Sequence, residues 1–179
     1  MARSRRRILL VAAAVAIAAV VILAAGGMLA ADGPDRAPAD EATTSPTPAL
    51  ADGERATVAI VAPDGSLRGT LDVRLATTAR ERYVGLSDTA TLGPDEGMLF
   101  VHDDVGPHAY VMRDMAFPID IVFVGADRRI TVIHHAPVEE PPLERYRGRG
   151  TWVIETPLHW TTDHGVAVGD RVRVRAVSG

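Results

Sequence analysis

Two carboxylates and a guanidinium sit in or beside the most apolar stretch of the chain. In HAYVMRDMAFPIDIVFVG, residues 108–125, Asp120 interrupts the run Ile119–Gly125, whose other residues are all apolar or Gly. Arg113 and Asp114 lie a few residues upstream. Paired carboxylates can do acid/base work or hold a cation. Positions six apart on extended backbone share a face, so Asp114 and Asp120 could act together, although Pro118 breaks the strand between them. The competing reading is architectural. A carboxylate at a turn or strand entry commonly accepts backbone N–H bonds or pairs with Arg, and a buried charge must be paired. Ion networks outnumber active sites, so the architectural reading is favoured, with Arg82, Arg113 and Glu155 as candidate neighbours of Asp120.

Other residue types offer less chemistry. His134 and His135 are adjacent, so a strand points them to opposite faces. His159 and His164 are five apart, not the four that puts two imidazoles on one side of a helix. His102-Asp103-Asp104 lacks the alternating ligands of a Ca²⁺ loop. This spacing predicts no metal site. There is no Cys, hence no disulfide and no thiolate nucleophile or ligand. Ser occurs at 4, 45, 66, 87 and 178, never within Gly-x-Ser-x-Gly. Phosphate-loop and dinucleotide fingerprints are missing as well. No catalytic residue and no cofactor are assigned. Met98, Met112 and Met115 could line a soft pocket, although such Met more commonly fill a core.

The 179 residues allow one domain plus attachments. The net charge is -4, and every basic side chain among the 19 is Arg. That bias suits a GC-rich genome and, with the acidic excess, is compatible with a halophilic archaeal source. No basic stripe is evident, which argues against nucleic acid as a partner. Arg3-Ser-Arg-Arg-Arg7 precedes the uncharged run Ile8–Ala31, and Asp32 and Asp35 follow it. As a helix, those residues would be about 36 Å long, enough to span a bilayer core. The positive-inside rule then keeps the N-terminus cytoplasmic and sends the remainder outside. Residues 1–31 are therefore read as a transmembrane anchor, with a cleaved signal peptide and a secreted product as the alternative. Residues 32–54, rich in Pro, Ala, Asp and Thr, read as a disordered linker reaching roughly 25–30 Å.

The folded unit is expected over 55–179, as short strands with turn punctuation. Strands are expected at 57–62, 71–75, 97–101, 108–113, 119–124, 129–135, 151–155 and 171–177. In the last of these, Val172, Val174 and Val177 should face inward. Thr78-x-x-Glu81 signals a capped helix over 78–86, and a helical turn is expected over 157–165, stopped by Gly165. Residues 103–107 and 136–150 read as loops. The fold class is mainly β (α+β), a compact barrel-like domain of short strands with one or two short helices.

Several segments together resemble domain-of-unknown-function family 192. They are Arg82 with Gly85-Leu86, Gly97–Phe100, Val111–Met115, Pro118–Asp120, Glu155 and Gly169-Asp170. The resemblance covers most of residues 70–175 and implies a compact, mostly β, barrel-like domain that is often exported. Three positions depart from the family pattern: Val111 stands where Trp is usual, Met115 where Thr is usual, and Ser87 where the helix usually continues Leu-Met. The family carries no established activity.

Three functional readings follow. The favoured one is a membrane-anchored extracytoplasmic module that binds a small molecule, glycan or protein partner through Arg82, Met112, Arg113, Asp114, Asp120 and Glu155. The second is a structural or assembly factor without a ligand site. The third is an acid/base hydrolase or isomerase using Asp114, Asp120 and Arg113, and a non-enzymatic role is preferred to it.

Overall fold

The computed structural model of the chain describes residues 54–177. The expected anchor (1–31) and almost all of the expected linker (32–54) lie outside them. Among the described residues the chain forms seven strands and two short helices. The order is β1 (Arg55–Val61), β2 (Leu67–Ala76), α1 (Ala79–Val84), β3 (Glu96–Tyr110), β4 (Ile119–Val124), β5 (Ile130–Ala136), β6 (Tyr146–Pro157), α2 (Trp160–Asp163) and β7 (Arg171–Ala176). The strands join one sheet in the order β5-β4-β6-β3-β2-β1-β7. Neighbours are antiparallel except β2 and β3, which run parallel. A parallel pair needs a crossover, and α1 with the loop behind it supplies one. Thr78 starts α1 through the expected capping box, its hydroxyl accepting from Glu81 N–H while the Glu81 carboxylate reaches back to the Thr78 N–H.

The expected barrel is corrected to an open sheet. Its edge strands β5 and β7 come together only at one end, through the single bridge Arg129–Arg171. Three backbone hydrogen bonds support it: Ile130 N–H to Asp170 O, Gly169 N–H to Ile130 O and Val172 N–H to Arg128 O, each 2.8–2.9 Å. Beyond that bridge the strands lack the register to continue the ladder.

Both faces of the sheet carry a core, which accounts for the uninterrupted burial of β4. One core collects Val58, Leu71, Leu99, Val122, Ile154 and Trp160 of α2. The opposite core collects Phe100, Ile121, Phe123, Val153, Met112 and Leu86. Period-two alternation assigns neighbouring residues to different cores. Close approach fixes some residues: a Cβ on Gly148 would lie 2.3 Å from the Phe123 ring.

The largest difference from expectation is β3. Residues 103–107 belong to this strand, whose far half pairs Gly106–Tyr110 with Tyr146–Gly150 of β6 after a register irregularity. The strand stops at Tyr110, not at residue 113, and β6 begins within the expected 136–150 loop. The helical turn shrinks to residues 160–163. Val172 is buried and Val174 packs against the core, but Val177 is exposed because it falls out of the alternation after Ala176.

Candidate functional site

Cross-strand register places two carboxylates back to back. Asp120 of β4 faces Thr156 of β6, and Ile121 faces Glu155. Directly opposed residues share a face and consecutive residues alternate. Asp120 therefore projects toward the core that α2 covers, and Glu155 toward the core beside α1.

Asp120 is fully buried and saturated. Its Oδ1 accepts from His135 Nδ1 at 2.6 Å and from the His159 backbone N–H at 3.0 Å. Its Oδ2 accepts from the Thr161 N–H at 2.9 Å and the Thr161 hydroxyl at 2.6 Å. The Arg partner expected for Asp120 is corrected: a histidine and the first turn of α2 satisfy it. Asp120 thereby ties β4, β5 and α2 together.

Glu155 is also buried, with 6 % of its surface accessible, but its carboxyl has no hydrogen-bond partner among the described residues. It lines a cleft of about 250 Å³ with Arg82, Tyr83, Phe100, His102, Tyr110 and Arg113. Ser87, Val111 and Met115 complete much of the wall. Burial pushes the Glu155 carboxyl up to about 8, so it holds its proton at neutral pH. Burial also pushes the Tyr110 phenol up, with the nearby Glu155 charge adding to the effect. His102 is pushed down to about 4 by burial first, then by the charges of His108 and Arg82. The cleft therefore offers a carboxylic acid, a phenol and a neutral imidazole.

The walls are held by hydrogen bonds that leave this floor free. Arg82 Nη1 donates to the carbonyls of Thr77 and Val101, fixing α1 to β3. Ser87 donates to Arg113 O at 2.8 Å, and Arg113 Nη2 donates to Tyr83 O at 2.8 Å. The Arg113 guanidinium also lies 4.2 Å over the Tyr83 ring. These contacts clamp the 111–115 segment against α1 and set the width of the cleft. On the floor, His102 Nε2 meets Tyr110 OH at 3.0 Å and its ring stacks on His108 at 3.6 Å between centroids.

The predicted residues thus separate. Arg82, Arg113 and Glu155 share the cleft. Met112 is a core residue, 1 % exposed, and is corrected from a ligand contact to packing. Asp114 has a side chain 79 % exposed and only a 3.8 Å approach to Arg113. Its backbone is left-handed, with φ 55°, so the extended geometry that would align it with Asp120 does not exist. Asp114, Asp120 and Arg113 are not assembled as an acid/base set.

Sequence reasoning missed His102, His108 and Tyr110. Reading 96–110 as one strand would have found them, since Met98, Phe100, His102, His108 and Tyr110 share parity. It also paired histidines only with near neighbours in sequence. The structure instead brings His135 and His159 together, with ring centroids 5.6 Å apart. Among the described residues no three metal-ligating side chains converge.

The model of domain-of-unknown-function family 192, described as "Uncharacterized ACR", matches residues 59–174. Two crystal structures are similar. One, described as a candidate transcription regulator from Sinorhizobium meliloti, is 26 % identical with a TM-score of 0.63, the match covering 70 % of this chain and 97 % of that one. The other, a protein of unknown function from Novosphingobium aromaticivorans, is 29 % identical with a TM-score of 0.58, covering 65 % and 83 %. No curated protein matches the sequence.

Proposed function

The chain belongs to domain-of-unknown-function family 192, and we propose that this member is a binding module whose Glu155 cleft takes a small polar organic molecule. The observation that carries the reading is Glu155, a buried carboxyl without a protein partner at the floor of an open cleft. The Glu155 oxygens are not among the sealed, unpaired polar atoms of the described residues, so a ligand in the cleft can reach them and form the hydrogen bond that the protein does not supply. The volume lies below the 300–1,000 Å³ typical of sites for drug-sized ligands. The occupant is accordingly a small organic acid, amino acid or single sugar. Protonated Glu155 donates to an acceptor oxygen on it, and Tyr83 and Phe100 supply apolar walls.

Ser87, Val111 and Met115 also line this cleft. They stand where the resembled pattern has a continuing Leu-Met helix, a Trp and a Thr, so an aromatic platform or Thr hydroxyl that served a ligand elsewhere is lost in this member. The Sinorhizobium protein is described as a candidate transcription regulator; the net charge of -4 of this chain does not favour a nucleic-acid partner here.

The same reading places the module on the outer face of a membrane, supported by Arg3–Arg7 ahead of the uncharged Ile8–Ala31 run. Among the described residues no helix is long and apolar enough to cross a membrane.

Thermal shift against a panel of small acids, amino acids and sugars tests the cleft. The expected result is a class of compounds that stabilises the wild type and loses its effect in both Glu155→Leu and Tyr110→Phe, Leu removing the donor that a Gln amide would retain. Stabilisation that survives both substitutions would overturn the reading.

A further inference from the structure

The second site lies on the other face of the sheet, away from the Glu155 cleft. His135 of β5 is fixed by Asp120, which takes its Nδ1 at 2.6 Å. That bond puts the ring proton on Nδ1 when the imidazole is neutral and leaves Nε2 as the free lone pair. The His135 side chain is 46 % exposed, while its Nδ1 is taken by the buried Asp120. Asp120 also holds the backbone of His159, whose N–H donates to the same Oδ1 at 3.0 Å. His159 sits at φ 70°, ψ 0°, a left-handed conformation that non-Gly residues seldom adopt and that Asn, Asp and His enter more readily than the rest. Its exposed ring has no hydrogen-bond partner among the described residues. One buried carboxylate thus anchors two surface imidazoles, the first through its ring and the second through its backbone.

Their separation has chemical meaning. Two imidazoles bound to one tetrahedral Zn²⁺, each with Zn–N about 2.0–2.1 Å, place their ring centroids about 5–5.5 Å apart. The observed separation is 5.6 Å, with the rings inclined by 49°. A carboxylate on the far nitrogen of a metal-binding His fixes its tautomer and raises its basicity. Asp120 occupies that position on His135.

We propose that His135 and His159 form a two-imidazole site for a borderline divalent transition-metal ion of the Zn²⁺, Ni²⁺ or Cu²⁺ class. Water or an external ligand completes the coordination shell. Imidazole suits these ions, whereas Mg²⁺ and Ca²⁺ require oxygen ligands that the pair does not supply. An ion there would join β5 to the segment leading into α2, adding to the tie that Asp120 makes from inside.

Calorimetric titration of the untagged full-length protein in detergent tests the proposal, with Zn²⁺ and Mg²⁺ injected separately. Four other His, at 102, 108, 134 and 164, lie in the same domain and can also take Zn²⁺, so the assignment is read from the two variants and not from wild-type binding alone. The expected result is one saturable Zn²⁺ equivalent with no matching Mg²⁺ binding, weakened at least tenfold in His135→Ala and in His159→Asn. Asn accepts the left-handed backbone, so His159→Asn removes the imidazole with the fold intact even if His135→Ala disturbs Asp120. No saturable Zn²⁺ binding by the wild type, or binding unchanged in His159→Asn, would overturn it.

Discussion

Asp120 and Glu155 are buried carboxyls on neighbouring strands, one residue apart in cross-strand register and on opposite faces of the sheet. Asp120 receives four hydrogen bonds from three residues, on β5 and the start of α2. Glu155 receives none among the described residues and borders a cleft. A carboxyl given donors ties elements of the fold together; Glu155, deprived of donors by burial, keeps its proton and costs stability above its ordinary range. The pair therefore separates what the sheet uses for architecture from what it holds ready for a ligand.

The sharpest way to break that contrast is Asp120→Asn. An Asn amide nitrogen cannot accept the two donors that meet one carboxylate oxygen. Loss of a buried, charge-assisted network of this kind costs about 3–5 kcal/mol, or roughly 10–20 °C in Tm. A melt within a few degrees of wild type would show that Asp120 is not the tie between β4, β5 and α2.

Glu155→Gln should move stability the other way, and only at higher pH. Between pH 4.5 and 8 the unfolded chain has lost the Glu155 proton while the folded chain keeps it. Unfolding releases a proton there, so wild-type stability falls as pH rises through that window and levels off beyond it. The full effect is up to roughly 5 kcal/mol. His102 acts oppositely between pH 4 and 6.5, where the unfolded chain carries a proton that the fold excludes. The two trends offset each other below about 6.5, so the decline in wild-type Tm should be steepest between 6.5 and 8. Melts at pH 5 and 8.5 check this: Glu155→Gln should match wild type at the lower pH and exceed it by several degrees at the higher.

Thr161→Val keeps the backbone donor to Asp120 but removes the hydroxyl. A hydrogen bond to a charged group contributes about 1.5–3 kcal/mol, so chemical denaturation should report a loss in that range and smaller than that of Asp120→Asn. Asp114→Asn should be nearly silent, within about 0.5 kcal/mol, because its carboxylate is exposed and its only ion-pair approach is 3.8 Å.

The parts of this contrast legible in the sequence were those set by local pattern. Strand β4 was bounded by Pro118 and Gly125, and α1 by the Thr78–Glu81 capping box. The isolation of Asp120 in an apolar run identified it as a paired charge. Its partner was not legible, because the match of Asp120 with His135 depends on the register of the β4–β5 hairpin, which charge patterning does not encode. The cleft was hidden for a different reason. HDDVGP has the polarity and Gly-Pro content of a loop, yet it lies within β3, paired with β6 on either side of a register irregularity, and His102 and Tyr110 line the cleft with Glu155. Arg82, Arg113 and Glu155 were singled out by motif, but their common cavity arises only once α1 and the 111–115 segment close over β3 and β6.

The most direct measurement of the contrast is an NMR titration of the two side-chain carboxyl carbons in protein labelled at Asp and Glu. The Glu155 resonance should titrate with a midpoint near 8 and shift when a ligand enters the cleft. A Glu155 midpoint in the ordinary carboxylate range near 4.5 would contradict the account, because the cleft would then hold a solvated anion instead of a buried acid.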